Sequence, residues 1–173
     1  MKQMIAACDK KGNITGEIER WVAHEKGILH RAFTLVILYK SFYILQHRKH
    51  PLFDGTFDAT SSSHQLMSHG KLESTIESAT RCLFREWKID KKNVGKFRVG
   101  SQVYYKARDP KSIYTEHEIC DVVEVTVKKL PEVNLEVAYG FSLLTKRELY
   151  NKKNLIYPLL DPWVKVMLSK GLL

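Results

Sequence analysis

The ten-residue run His30-Arg31-Ala32-Phe33-Thr34-Leu35-Val36-Ile37-Leu38-Tyr39 constrains the fold of this chain most. It is rich in β-formers, nearly continuous in apolar character and strand-sized. A strand apolar on both of its faces must be covered on both sides, which predicts a buried strand inside a layered domain. Lys40-Ser41 then makes a short turn, and residues 41–48 return as Phe42-Tyr43-Ile44-Leu45, the strongest hairpin signal in the sequence.

Other elements fall around this pair. Residues 4–8 read as a short strand ending at a turn over Lys10-Lys11-Gly12-Asn13, and 17–24 as a short strand or helical turn. The best helix spans 72–87, with Leu72, Ile76, Ala79 and Leu83 at helical spacing and Glu77 and Arg81 four apart on another face. Residues 99–106, 116–129 and 136–144 alternate like strands. Thr145 and Glu148 have the spacing of a capping box, and a last helix runs over 163–170 after Pro162. Strands and separate helices without a βαβ rhythm predict an α+β fold with a mixed β-sheet flanked by helices. With 173 residues and no linker-like tract, the expectation is one domain, 1–173.

Several function classes drop out. No apolar run approaches the ~20 residues of a spanning helix, and the apolar stretch in residues 1–9 is too short for a signal peptide. Three cysteines, Cys8, Cys82 and Cys120, are an odd number without paired metal-binding spacing. They suit a reducing compartment, so a cytoplasmic protein is expected. The net charge of +9 invites an anionic partner. Much of the excess lies in 85–111, where nine Lys/Arg stand against Glu86, Asp90 and Asp109. No RNA-binding aromatic motif or zinc-finger spacing accompanies it, which argues against a nucleic-acid module.

The residues with chemical potential lie in two places. The polar, turn-rich stretch 49–70 holds His50, Asp54, Asp58, Ser61-Ser62-Ser63, His64 and His69. Such a stretch inside a compact domain is usually functional, but no G-x-S-x-G elbow surrounds its serines. Glu116-His117-Glu118 opens a strand, so its two carboxylates project to one face. They repel unless a cation or a shared proton lies between them. Imidazoles and carboxylates without thiolates suit Zn²⁺, Mn²⁺ or Mg²⁺. A solvated strand edge with scattered surface histidines fits the same spacing.

Taken in order, His30-Arg31-Ala32-Phe33, Leu45-Gln46-His47-Arg48, Ser62-Ser63-His64, Glu116-His117-Glu118 and Asp161-Pro162-Trp163 resemble type 1 isopentenyl-diphosphate isomerase, a family with the Nudix fold. The resemblance runs nearly end to end. It implies a divalent metal, Zn²⁺ or Mn²⁺, on His24, His30, His64, Glu116 and Glu118. It places a small-molecule diphosphate near Arg20, Arg48 and Arg81, with Mg²⁺ held through Glu86. It makes Glu118 a proton-transfer residue, with Tyr105 beside it and Trp163 facing a carbocation. Three positions depart from the family. Its catalytic cysteine falls on Ser62, a far weaker acid than a thiol of pKa about 8.5. The segment 48–55 is short, leaving Lys49 or His50 in place of a phosphate-binding lysine. Cys82 stands where a second helix arginine is usual.

The same helix bears on Nudix hydrolysis of a prenyl or nucleoside diphosphate. Against the pattern R-E-U-x-E-E-x-G-U, residues 81–89 keep Arg81, Leu83, Glu86 and Ile89, while Cys82 and Arg85 replace two glutamates. A non-catalytic diphosphate-binding homologue is the remaining expectation, and under any of these readings the chain is expected to be a monomer or homodimer.

Overall fold

The computed structural model describes residues 2–89 and 91–173, without the side chain at position 91. Asp90, counted above in the basic segment, and Met1 lie outside the described residues.

In chain order the strands and helices are β1 (Met4–Cys8), β2 (Ile14–Glu19), α1 (Arg20–Lys26), β3 (His30–Tyr39) and β4 (Phe42–Arg48). Next come β5 (Phe57–Asp58), β6 (Ser61–Ser63), β7 (Met67–Ser68), β8 (Lys71–Leu72) and α2 (Thr75–Trp87). The chain closes with β9 (Arg98–Arg108), β10 (Thr115–Val127), β11 (Ala138–Thr145), α3 (Lys146–Tyr150) and α4 (Pro162–Ser169). The architecture is α+β with a mixed sheet, as the sequence predicts. No helix among the described residues is long and apolar enough to cross a membrane.

β3 is the organising strand. It pairs in parallel with β10 from His30↔Glu118 to Tyr39↔Val127, and antiparallel with β6, where Thr34 meets Ser62. Its apolar run is continuous because both faces are covered. Ala32 and Val36 enter one core with Leu45, Tyr105, Trp163 and Met167. Phe33, Leu35 and Ile37 enter a second core with Ala79, Cys82, Leu83 and Trp87 of α2.

The expected β3–β4 hairpin forms, with its ladder confined to the turn. The two strands pair at Leu38↔Tyr43 and Tyr39↔Phe42, then part company as β4 takes β11 and β5 and β3 takes β6. The consecutive strands β5 and β6 occupy the parting, one on β4 and the other on β3. The reading of 17–24 as strand or helical turn resolves into both, β2 followed by α1.

α2 starts later than the periodicity suggests. Ser74 caps it, accepting from Glu77 N while Glu77 accepts from Ser74 N, and Leu72 belongs to the β7–β8 hairpin. Glu77 therefore serves the cap, and Arg81 pairs with Glu73 at 2.7 Å. Ile76 is 46% exposed rather than part of the buried face, which runs through Ala79, Cys82, Leu83, Glu86 and Trp87. The Thr145–Glu148 capping box opens α3 as expected.

Candidate metal centre and anion cavity

Four segments bring the centre together. His24 lies on α1, a seven-residue helix held by a Glu19 N-cap that accepts from Val22 N at 3.0 Å. Gly27 ends it at φ +60°, a left-handed conformation that glycine adopts without a Cβ penalty. His30 is the first residue of β3, His64 follows β6, and Glu116 and Glu118 share one face of β10. The His24, His30 and His64 ring centroids lie 5.0–5.2 Å apart. One ligand atom each of His24, His30, His64 and Glu116 falls within 4.8 Å of the others. Glu118 Oε1 lies 3.4 Å from His30 Nε2 and 3.2 Å from His64 Nε2. His24 Nδ1 is 3.4 Å from Glu116 Oε2.

The donor set fits a divalent cation on three counts. His24 Nδ1 and Glu116 Oε2 are buried without a hydrogen-bond partner. Buried polar atoms are rarely left so. His30 Nδ1 contacts the Ile28 carbonyl at 2.7 Å and must donate to it, which turns Nε2 into the cluster, 3.2 Å from His64 Nε2. Burial, then the nearby His64 and His30, push the His24 imidazole down to about 2, and burial lowers His64 as well. Neutral imidazoles are the ligand form. Burial works to raise Glu118, but hydrogen bonds with His30 and His64 outweigh it and hold the carboxylate well below its usual range. Glu116 is pushed well above it by burial and by the Glu118 charge. The solvated-edge alternative is thereby overturned: Glu116 is 7% and Glu118 3% exposed.

A cavity of about 230 Å³ opens over the centre. His24, His64, Glu116, Glu118 and Ser62 lie at one end, and Arg20, Arg48, His50, Arg85 and Glu86 also line it. Of its lining side chains, Trp21 and Val137 are the apolar ones. The Ser62 hydroxyl lies 2.8 Å from Thr34 Oγ1, which lies 3.4 Å from Cys120 Sγ. Glu86 accepts from Gln46 Nε2 at 3.2 Å and pairs with Arg85. Arg20 sits over the Trp21 ring at 4.5 Å, and its buried Nε has no partner.

Arg48 is held from below. Nη1 donates to Asp58 at 3.1 Å, Nη2 reaches the Leu52 carbonyl at 3.2 Å and His50 Nδ1 at 3.3 Å, and Nε lies 3.6 Å from Asp161. Burial raises Asp161 to about 8, against the pull of Arg48. Trp163 Nε1 donates to Asp58 at 3.0 Å. The two aspartates are residues whose role the sequence did not disclose. Their one signal is position, Asp58 between Phe57 and Ala59 and Asp161 between Leu160 and Pro162.

Two expected site residues are placed elsewhere. Trp163 is fully buried; its ring stacks on Tyr105 at 5.6 Å and meets the Arg48 guanidinium at 5.3 Å. This corrects its expected position at the cavity wall, because the cation its face meets is the chain's own Arg48. Arg81 is occupied with Glu73, at 2.7 Å, and lies outside the cavity lining. Tyr105 is buried beside the centre, with its hydroxyl donating to Glu118 Oε2.

His50 shows a built-in acid sensitivity. Its Nδ1 lies 3.3 Å from both Leu52 N and Arg48 Nη2. Both nitrogens can only donate, so Nδ1 accepts and the ring is neutral. Burial, then Arg48, lowers its pKa to about 3. A depressed histidine pKa gives stability that is present above the unfolded value, about 6.5, and lost as pH falls toward the folded value. The His50→Gln variant should therefore lose stability less steeply than the parent between pH 6.5 and 4, by up to about 1.4 kcal/mol per pH unit. Urea denaturation across that range measures the difference, and parallel profiles would refute it.

No protein-family model matches the sequence, and no curated protein gives a significant match. Solved structures do. The DR0079 protein of Deinococcus radiodurans superposes with a TM-score of 0.69 at 14% identity, covering 97% of this chain and 98% of that one. A Nudix-family hydrolase of Clostridium perfringens gives 0.52 at 12% identity, covering 83% and 95%. The mixed sheet between helices therefore defines an α+β sandwich of a known kind. It is the Nudix fold.

Proposed function

We propose that the chain binds a divalent metal ion, Zn²⁺ or Mn²⁺, through His24, His30, His64, Glu116 and Glu118. It then acts on a small diphosphate by proton transfer, in the manner of isopentenyl-diphosphate isomerase. The observation that carries this reading is the convergence of three imidazoles and two buried carboxylates beneath a cavity lined by Arg20, Arg48 and Arg85. A cation bound there supplies positive charge that lets both carboxylates ionise side by side.

The chain's own residues do the rest. Arg20, with its unpartnered Nε, and the cavity edge of Arg48 hold the diphosphate, and Glu86 offers an oxygen ligand to an accompanying Mg²⁺. Tyr105 fixes the Glu118 carboxyl by donating to Oε2. Glu118 and Ser62 face the same cavity, the arrangement needed to add a proton at one alkene carbon and remove one at another. Isopentenyl diphosphate becomes dimethylallyl diphosphate with no change in atoms. Ser62 is the weak member, since a hydroxyl exchanges protons poorly near neutral pH.

Deuterium incorporation from heavy water into isopentenyl diphosphate tests the reading. Ser62→Cys should raise turnover by roughly 10²-fold, the usual weight of a general acid or base. No exchange by either protein at saturating metal rules the isomerase out.

The polar cavity wall and the Arg48 guanidinium covering Trp163 favour a second reading, metal-dependent hydrolysis of a more polar diphosphate such as a nucleoside diphosphate. It predicts Mg²⁺-dependent phosphate release from such a substrate, lost in Glu86→Gln. Diphosphate binding without either product identifies a non-catalytic homologue.

A further inference from the structure

Arg20 and Arg85 both line the anion cavity, but their surroundings differ. Arg20 Nε is buried without a partner, and its guanidinium enters no hydrogen bond or ion pair among the described residues. Burial, then the like charge of Arg85, lower its pKa. Two cations therefore stand near one another on the cavity wall. Like charges held together in a partly buried wall favour an anion between them.

Arg85 is occupied. Its Nη2 donates to Glu86 Oε1 and lies 3.6 Å from the sulfur of Cys82, one turn back on α2. Nε and Nη1 make no hydrogen bond among the described residues. The Arg85 side chain is 41% exposed and that of Glu86 11%, so the guanidinium keeps access to the cavity while the carboxylate lies deeper. The second oxygen of Glu86 accepts from Gln46 Nε2 at 3.2 Å. Glu86 is thus fixed at both oxygens, and Arg85 is tethered through one nitrogen. Arg85 also stands where the Nudix pattern has a glutamate. This reversal of charge turns a wall that gathers cations into one that gathers anions.

We propose that Arg85 is a third anion-binding residue of this cavity, held in reserve by Glu86. A phosphate group entering the cavity draws the guanidinium off the carboxylate and is gripped by Arg85 together with Arg20. The proposal rests on the diphosphate reading above and names the residue that meets the phosphate and the one that competes for it. The guanidinium exchanges one oxyanion for another and keeps a bidentate partner. Its departure also clears the Glu86 oxygen for the cation that accompanies the diphosphate.

Titration calorimetry of inorganic pyrophosphate into the full chain, in buffer without Mg²⁺, tests it. Arg85→Gln should weaken binding about tenfold or more, the weight of a charge-assisted hydrogen bond. Glu86→Gln should strengthen it about three- to fivefold, by breaking a partly exposed ion pair that competes with the anion. In the Arg85→Gln background that gain should largely vanish, because no guanidinium is left to release. Every variant keeps the same histidine and glutamate centre, so any metal that pyrophosphate draws from it cancels from the comparison. Melting curves of each variant separate loss of the ligand from loss of the fold. An equal gain from Glu86→Gln in both backgrounds means that the carboxylate only repels the anion. That result overturns the proposal and leaves the diphosphate reading standing, as does an affinity unchanged in Arg85→Gln. A parent chain that binds no pyrophosphate overturns both. The expected pattern in a protein without turnover supports the role of Arg85 and strikes the isomerase and hydrolase readings alone.

Discussion

Stripping the protein of divalent metal should lower its melting temperature by about 8–16 °C, and Zn²⁺ or Mn²⁺ should restore it. The figure follows from mass action. A ligand at a thousand times its dissociation constant stabilises the native state by about 4 kcal/mol, and each kcal/mol moves the midpoint of a chain this size by roughly 2–4 °C. The unpartnered His24 Nδ1 and Glu116 Oε2 are the atoms that gain most from the ion. Removing one imidazole with His64→Ala should abolish most of the metal-dependent shift. Scanning calorimetry with and without chelator, alongside the metal content of the purified protein, measures it. A melting temperature indifferent to chelation in a metal-free protein removes the proposed centre.

The second large effect belongs to Arg48. Its guanidinium is the counter-charge of Asp58, which is fully buried and 3.1 Å away, and lies 3.6 Å from the Asp161 carboxyl. Breaking a buried ion pair from one side typically costs about 3–5 kcal/mol, because the abandoned charge stays desolvated. Arg48→Met should therefore lower the melting temperature by roughly 6–20 °C. The loss should be smaller in Arg48→Met combined with Asp58→Asn, where the carboxylate paired with Arg48 at 3.1 Å is gone. If Arg48 served a bound anion alone, the single variant would keep its stability and lose ligand affinity. Equal melting temperatures for parent and variant would establish that.

The elements that showed in the sequence are those whose pattern is local. β3 announced itself because both of its faces meet a core, and α3 because Thr145 and Glu148 cap each other three residues apart. The start of α2 did not. Leu72 continues the helical period but is drawn into a two-residue strand by its pairing with Met67. The parting of β3 from β4 was hidden for a related reason: a tight turn fixes two registers and says nothing of which strands arrive later from residues 61 and 138.

The residues of the candidate centre were named by ordered resemblance, and β-strand alternation placed Glu116 and Glu118 on one face. The Arg48–Asp58–Asp161–Trp163 cluster was not visible, since its members are separated by up to 115 positions and no short spacing links them. The same cluster explains why Trp163 lies away from the cavity wall. Its indole N–H is spent on Asp58, and its face on Arg48.

The parallel pairing of β3 with β10 joins His30 to Glu118 across 88 residues of chain. Closing so long a loop is an entropic cost met before the contact repays it, and parallel pairings across long loops form slowly. Until that pairing closes, Glu116 and Glu118 are far from the three histidines, so the proposed ion would meet its full set of donors in the folded arrangement alone. Bound there, it would favour the native state by mass action and tie His24, β3 and β10 together. The centre would then work as a clasp on the one long-range parallel pairing among the described strands.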